Sequence, residues 1–362
     1  MRYSICFKRG FYIIVALIVA CQVVKAQDPV FTQAFLSPVY LNPGATGAGE
    51  HDLRISGIYR RQWWNVPSGM NYMAFSIDKY IPGISSGLGL MATKSSEGYL
   101  NKSGFYGSYA YNICAGTKSV AENGGTPKWF WTGGLQFGIA QNRIDYNKLV
   151  FSDQLTPNGV SFFRTNANIP VNNGKFFPDF AAGTFFNFNA TEDRRLLFGF
   201  AGHHINTPDE SLISTTDSFR SQLPMLFTGS LLWTTTNSEN NWSFSYSLIA
   251  YRQAKNNSLQ VGFEATQNEY DISMGIWYRG GINFYNMNSL SLTVSFNLSG
   301  RGNTRDKMRV GLAHDTQVGN KGYSYTAGSS EFGFVWDHSS YNQADDNPCK
   351  PRINTLICPG RF

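Results

Sequence analysis

The sequence predicts an all-β chain, an antiparallel transmembrane outer-membrane β-barrel of about 14 strands. Three observations predict it. Apolar and polar residues alternate with a period of two along most of the chain, the pattern of strands with two unlike faces. Charged residues make up only 15% of the sequence, well below the roughly 25% of soluble domains, while aromatic residues also reach 15%. An export leader precedes the alternating region.

The leader comes first. Arg2, Lys8 and Arg9 form a basic start and Phe11 to Val24 an apolar stretch. Val24-Lys25-Ala26 places small residues at the −3 and −1 positions of a cleavage site before Gln27. The stretch is too short and wrongly flanked for a transmembrane helix, so residues 1–26 read as a signal peptide. Ile18-Val19-Ala20-Cys21 also fits a lipoprotein box, which leaves cleavage at Cys21 open as the alternative. The formal net charge of +6 belongs largely to this leader, which holds four cations and no acid. The remaining 336 residues carry 26 basic and 24 acidic groups, a net of +2, and nucleic acid loses its support as a partner. No later stretch is apolar for 18 residues, which excludes a helical membrane protein, and the aromatic content excludes a disordered chain.

Residues 27–52 form an N-terminal segment, periplasmic or lumenal, with the Pro-rich piece SPVYLNPGATG. The barrel is expected over 53–338. Its clearest strand is 288–298, where Leu290, Leu292, Val294, Phe296 and Leu298 share one face and Ser289, Ser291, Thr293, Ser295 and Asn297 the other. Fourteen such segments are expected at 53–61, 70–80, 86–94, 102–114, 129–140, 176–189, 195–203, 223–234, 242–251, 258–266, 271–279, 288–298, 306–316 and 323–337. Most have the length a tilted strand needs to cross a bilayer, and an even number suits a bacterial barrel. With a periplasmic N-terminus, the longest loops, 141–175 and 204–222, face outward and the connections on the other side are short, except 115–128. A soluble β-sandwich also alternates. Against it, the polar faces carry Ser, Thr, Asn and Gly rather than Lys and Glu. Aromatics also gather near strand ends, at Trp63, Trp64, Tyr80, Trp129, Trp131, Trp233, Trp242, Trp277, Tyr278 and Trp336, as interfacial girdles would. Residues 339–362 form a C-terminal periplasmic tail.

Little in the sequence points to chemistry. The five histidines, His51, His203, His204, His314 and His338, show no metal-ligand spacing, so no metal and no cofactor is expected. His203 and His204 are adjacent at a strand end, where neighbours point to opposite faces, and read as an interfacial strand terminus. No nucleophile motif occurs, and no catalytic residue is expected. Cys114, Cys349 and Cys358 survive removal of the leader. Cys349 and Cys358 lie together in the tail, where export permits either a disulfide, worth ~2–3 kcal/mol, or two free thiols. Cys114 reads as inert.

The opening Gln27-Asp28-Pro29-Val30-Phe31-Thr32-Gln33, followed by Ser37-Pro38-Val39-Tyr40-Leu41-Asn42-Pro43-Gly44, resembles that of the PorP/SprF family, QDPxFSQ…NPLYLNPAxxG. Those are outer-membrane proteins of the type IX secretion system of Bacteroidota. Tyr59-Arg60-Arg61-Gln62-Trp63 resembles the family's Y-R-x-Q-W, Pro178-Asp179-Phe180-Ala181-Ala182-Gly183 its P-D-F-x-x-G, and Ile357-Cys358-Pro359-Gly360-Arg361-Phe362 its Cys-Pro terminus. Gly44 departs from the usual Ala, and the 141–175 loop is long. The resemblance implies an integral outer-membrane barrel that works with type IX components and assists secretion or surface attachment of a cargo such as a gliding-motility adhesin.

The residues themselves suggest a non-enzymatic barrel whose ends do the work, because variation is cheap only in loops and tails. Phe162, Phe163, Arg164 and Phe219 on the long loops are candidate contacts with a secreted surface protein. Gln33, Asn42 and Pro43 either dock periplasmic components, together with the Cys349–Cys358 tail, or seat segment 27–52 inside the barrel. The alternative function is a diffusion channel or hydrophobic-compound transporter.

Overall fold

The computed structural model describes residues 28–49, 51–67, 69–115, 129–157, 159–161, 163, 165–167, 169, 174–191, 193–212, 221–237, 240–281, 287–299, 306–318 and 323–339. The expected signal peptide, Cys21, Phe162, Arg164, Phe219, Cys349 and Cys358 fall outside them. Fourteen strands close into one antiparallel barrel. In chain order these are β1 (Leu53–Gln62), β2 (Met70–Ile81), β3 (Ser86–Glu97), β4 (Leu100–Ala115), β5 (Trp129–Ile144), β8 (Gly174–Thr191), β9 (Arg194–His203), β10 (Leu226–Asn237), β11 (Trp242–Gln253), β12 (Asn256–Gln267), β13 (Ile272–Gly280), β14 (Met287–Ser299), β15 (Lys307–Gln317) and β16 (Ser329–His338). A small hairpin, β6 (Leu155–Thr156) with β7 (Gly159–Val160), stands apart in the loop after β5. The last strand closes on the first, from Leu53 opposite His338 to Gln62 opposite Ser329. Closure pairs every strand on both edges, which a hydrocarbon environment demands.

Each expected strand coincides with one of these, and the differences lie at ends. The strand expected from 223 begins at Leu226, beyond Pro224, which has no N–H for the ladder. The strand expected from 323 opens instead as a helical turn, Tyr323–Thr326. Ala327 and Gly328 then take φ of 52° and 67°, which breaks extended geometry before Ser329.

The wall is inverted relative to a soluble protein. On β14, Ser291, Thr293, Ser295 and Asn297 are buried, and Leu292, Phe296 and Leu298 are exposed. The outward faces form the lipid-facing belt, and Trp64, Trp131, Trp233 and Trp242 are exposed on it. Two aromatics expected in the girdles turn inward. Trp277 is in phase with the lumenal Ser273 and donates to Thr293 Oγ1 at 3.2 Å, and Tyr80 is buried on the inner face of β2. Among the described residues no helix is long and apolar enough to cross a membrane. The barrel has a terminal end, where β1 starts and β16 stops, and a loop end, where connections 145–173 and 204–225 emerge.

Residues 28–49 lie inside the barrel and form its core. Phe31, Ala34 and Leu41 pack against Ile58, Tyr72, Ala74, Ile249 and Tyr251 of the wall. This plug winds through three short turns, Ala34–Leu36, Pro38–Leu41 and Pro43–Ala45. Pro38 and Pro43 each sit at a first helical position, where a missing N–H costs nothing. Asn42 caps the last turn by accepting the Gly44 N–H at 2.8 Å.

Candidate functional site

The plug runs the length of the lumen, from Asp28 at the loop end to His51 at the terminal end, and charged groups hold it at three levels. At the loop end Asp28 is the anchor. Its N–H donates to Gln253 Oε1 at 2.8 Å, and its carboxylate accepts from Gln253 Nε2 at 2.7 Å. It also faces His204 Nε2 at 2.7 Å and Lys102 at 3.5 Å. The other His204 nitrogen lies 2.8 Å from Asp179, which also accepts from Tyr106. His204 sits just past the end of β9. Burial pulls its imidazolium down, but the two carboxylates more than offset this and raise its pKa to about 9. Burial raises the Asp28 carboxyl, yet His204 and Lys102 hold it far below the usual range.

The second level, still near the loop-side ends of β1, β13, β15 and β16, is a neutral cluster of two arginines and two carboxylates around the buried Thr32. Arg60 donates to Asp315 at 2.5 Å, to Glu331 at 3.2 Å and to Thr32 Oγ1 at 3.0 Å. Arg279 also donates to Thr32 Oγ1, at 2.7 Å. Glu331 in turn accepts the backbone N–H groups of Thr32 and Gln33, at 2.8 and 2.6 Å. At the terminal end Arg54 forks onto Asp78, at 3.0 and 2.8 Å, and reaches the Ala45 carbonyl at 2.7 Å. Asp78 accepts the Gly47 N–H at 2.7 Å. A plug that cannot form sheet hydrogen bonds thus has its backbone groups met by ionised wall residues, which make the stronger bonds.

Inward glycines provide the room. A Cβ at Gly134 would overlap the Pro43 carbonyl, and one at Gly87 the Thr46 carbonyl.

Of the residues singled out from sequence, Gln33, Asn42 and Pro43 are all in the lumen. Gln33 lies over Gly311, and the Asn42 amide donates to the Thr184 carbonyl of β8 at 2.8 Å. Phe163 is 85% exposed on the long loop, free to meet another molecule. Cys114 lies in β4 opposite Phe130. The reading of His203 and His204 as an interfacial terminus needs correction. The strand ends at His203, His204 takes φ of 57°, and so both rings meet the plug, His203 through the Leu41 carbonyl at 3.3 Å. Sequence reasoning missed Asp28, Arg54, Arg60, Asp78, Arg279, Asp315 and Glu331. All but Asp28 are ionisable residues on strands, which stand out in a chain with so few charges once the inward face of each strand is known.

Solved structures with a similar outline include CdiB from Acinetobacter baumannii (10% identity, 78% of this chain and 60% of that one, TM-score 0.38). The Ralstonia pickettii toluene transporter TbuX (10% identity, 84% and 94%, TM-score 0.43) and the CymD monoaromatic hydrocarbon channel (11% identity, 88% and 95%, TM-score 0.45) are also similar. The chain thus spans 60% of the length of CdiB. No curated protein sequence matches it. The profile of the type IX secretion system membrane protein family PorP/SprF matches residues 23–336, and this chain, an integral outer-membrane β-barrel, belongs to that family.

Proposed function

We propose that this type IX component works through the two ends of a sealed barrel. The loop end faces the cell exterior and grips an exported protein, such as a gliding-motility adhesin, during its secretion or surface attachment. The terminal end, with the tail 339–362, docks secretion-system components in the periplasm. One observation carries this reading: the lumen is occupied by residues 28–49, and the clamps on them leave the ends as the surfaces open to partners. The loop after β5 supports it. Leu155, Val160 and Phe163 are 63%, 48% and 85% exposed, apolar area that a bound cargo would cover. Asp153 braces that loop by accepting from Thr165 Oγ1 at 2.8 Å and from the Asn166 N–H at 2.6 Å.

Deleting residues 155–170 should abolish surface display of at least one type IX cargo while the barrel remains in the outer membrane. Unchanged display of every cargo would refute the grip. The channel reading has its own readout, because a sealed barrel gives no steady current in a planar bilayer. Large solute-selective currents from the purified protein would reverse the order of the two readings.

A further inference from the structure

We propose that the lipid-facing wall where β16 meets β1 and β15 carries a serine esterase site that cleaves the acyl esters of bilayer lipids. Its parts stand in one row across the three strands. Ser330 lies directly opposite Arg61 in the β1–β16 ladder and opposite His314 in the β15–β16 ladder. Residues paired in this way on one face have Cβ atoms about 4.5–5.5 Å apart. All three point outward, because their chain neighbours Arg60, Glu331, Ala313 and Asp315 are buried on the lumenal side.

The row holds a nucleophile, a base and the groups that orient them. Ser330 Oγ is 3.0 Å from His314 Nδ1. The Trp64 indole, which can only donate, reaches the same Oγ at 3.1 Å, so the hydroxyl proton is left for His314 Nδ1. His314 Nε2 then carries the ring hydrogen and donates it to the Tyr323 hydroxyl at 3.1 Å, which fixes the tautomer a base needs. Tyr323 comes this close because residue 328 is glycine. A Cβ there would stand 3.0 Å from both His314 Nε2 and Tyr323 Cε2 and would overlap the Asp315 carbonyl. Trp64 is held over the row by its neighbours, as the Trp63 N–H donates to the Gly328 carbonyl at 2.9 Å and the Asn65 N–H to the Thr326 carbonyl at 3.2 Å.

Arg61 supplies the positive charge. Among the described residues its guanidinium faces no carboxylate. It stacks on Trp64, 4.2 Å from the ring centroid, and its buried Nε has no hydrogen-bond partner. An unmatched cation beside a nucleophile suits the oxyanion that forms in acyl transfer.

The setting selects the substrate. One row below, Tyr59, Phe332 and Leu312 are paired across the same three strands and exposed on the outward face. An acyl chain lying on them in the bilayer brings its ester carbonyl up to the loop-end interface, where Ser330 follows the first residue of β16. Ser330 Oγ attacks the carbonyl carbon while His314 Nδ1 takes the hydroxyl proton, and the oxyanion forms beside Arg61. Its collapse breaks the acyl C–O bond, and His314 returns the proton to the leaving alcohol oxygen. A water that gives its proton to His314 then hydrolyses the acyl-Ser330 ester, which releases the fatty acid and restores the serine. No local motif announces the site, because three separate strands supply it.

The experiment uses the full chain purified in detergent. A fluorophosphonate probe should attach to Ser330, as located by mass spectrometry, and the protein should release fatty acid from a glycerophospholipid in mixed micelles. Ser330→Ala and His314→Gln should each lower kcat about 10³-fold or more, and Arg61→Met about 10²-fold. Tyr323→Phe and Trp64→Phe, which act through His314 and Ser330, should each lower kcat about tenfold at unchanged KM, the loss of one hydrogen bond. Every variant is first checked for the heat-dependent electrophoretic shift of a folded barrel, with Ser330→Gly as the replacement if Ser330→Ala fails it. A probe that attaches to no residue, or only to other serines, would overturn the site. Fatty-acid release that survives loss of the Ser330 hydroxyl would do the same. Hydrolysis of a water-soluble short-chain ester but not of the phospholipid would overturn the lipid assignment, and an effect of Tyr323→Phe and Trp64→Phe on KM alone their positioning roles. Cargo display is a separate readout, so this site and the secretion reading can fail independently.

Discussion

Arg60→Met should unseat the N-terminal part of the plug. Arg60 bridges Asp315, Glu331 and Thr32, and Glu331 holds the backbone of Thr32 and Gln33. Methionine fills similar space but leaves two buried carboxylates facing Arg279 alone. Breaking a buried pair in this way costs about 3–5 kcal/mol, far more than the intact pair contributes, because one charge stays behind without a partner. Arg60→Lys keeps the charge but loses the fork, so it should cost less than methionine. The assay is thiol accessibility at Ala34→Cys in a background with Cys114, Cys349 and Cys358 changed to Ser. Ala34 is 2% exposed, so it reacts with an impermeant maleimide only when the plug lifts. If opening is fast relative to labelling, the rate follows the opening equilibrium, and the methionine variant should react about 10²–10⁴ times faster. Lys148→Met removes the exposed Asp145 pair, worth under about 1 kcal/mol, and sets the background. An Arg60→Met rate no higher than that control, in a barrel that keeps its heat-dependent gel shift, would refute the clamp.

Neighbouring glycines should behave oppositely. Gly133 faces open space and Gly134 faces the Pro43 carbonyl, so Gly133→Ala should be silent while Gly134→Ala costs about 1–3 kcal/mol in the same thiol assay; equal effects would count against the fit of plug to wall. The His204 clamp should respond to alkali. A pKa held above the ordinary value of about 6.5 contributes stability that is complete below that value and is lost as pH rises through about 9, on the order of 3 kcal/mol in all. Hydrogen exchange of residues 28–33, corrected for intrinsic rates, should therefore speed up between pH 7 and 10, and His204→Gln should flatten the response. An unchanged slope in that variant would assign the effect to another group. Mass mapping without reductant should find Cys349 joined to Cys358 in the tail, and two free thiols would refute the pairing.

The strands were legible and the plug's anchors were not, for one physical reason. A lipid-facing strand alternates over its whole length, so 288–298 or 258–266 declares itself from a dozen residues. The plug depends on contacts between residues far apart in sequence. Nothing local tells Thr32 that it will meet Glu331, or Asp28 that it will meet His204. Arg60 and Asp179 were in view as parts of the motifs Tyr59-Arg60-Arg61-Gln62-Trp63 and Pro178-Asp179-Phe180, but their roles depend on which way each strand face turns. Trp277 illustrates the same limit, because its place near a strand end suggested a girdle while its phase with Ser273 sent it into the lumen.

The plug also bears on how such a barrel could serve secretion. Fourteen strands spaced 4.8 Å apart and tilted by about 40° enclose a backbone diameter of about 28 Å, and inward side chains reduce the clear width to about 18 Å. A folded domain of about 100 residues has a radius of gyration near 13 Å and is about 34 Å across. Even an empty barrel would therefore stop a folded cargo, and only an extended chain would fit. That route would require the plug to leave, breaking the Asp28, Arg60 and Arg54 clamps together and exposing Phe31, Val39 and Leu41 to water. The cost of doing so far exceeds that of binding cargo on an exposed loop. A cargo delivered by other machinery and held at the loop end needs none of it. Locking the plug with a disulfide between Thr32→Cys and Gln260→Cys, at positions joined by the Gln260 side-chain amide donating to the Thr32 backbone carbonyl, separates the two routes. Display that survives oxidation of this pair supports delivery around the barrel, whereas display that stops on oxidation and returns on reduction would mean that cargo passes through it.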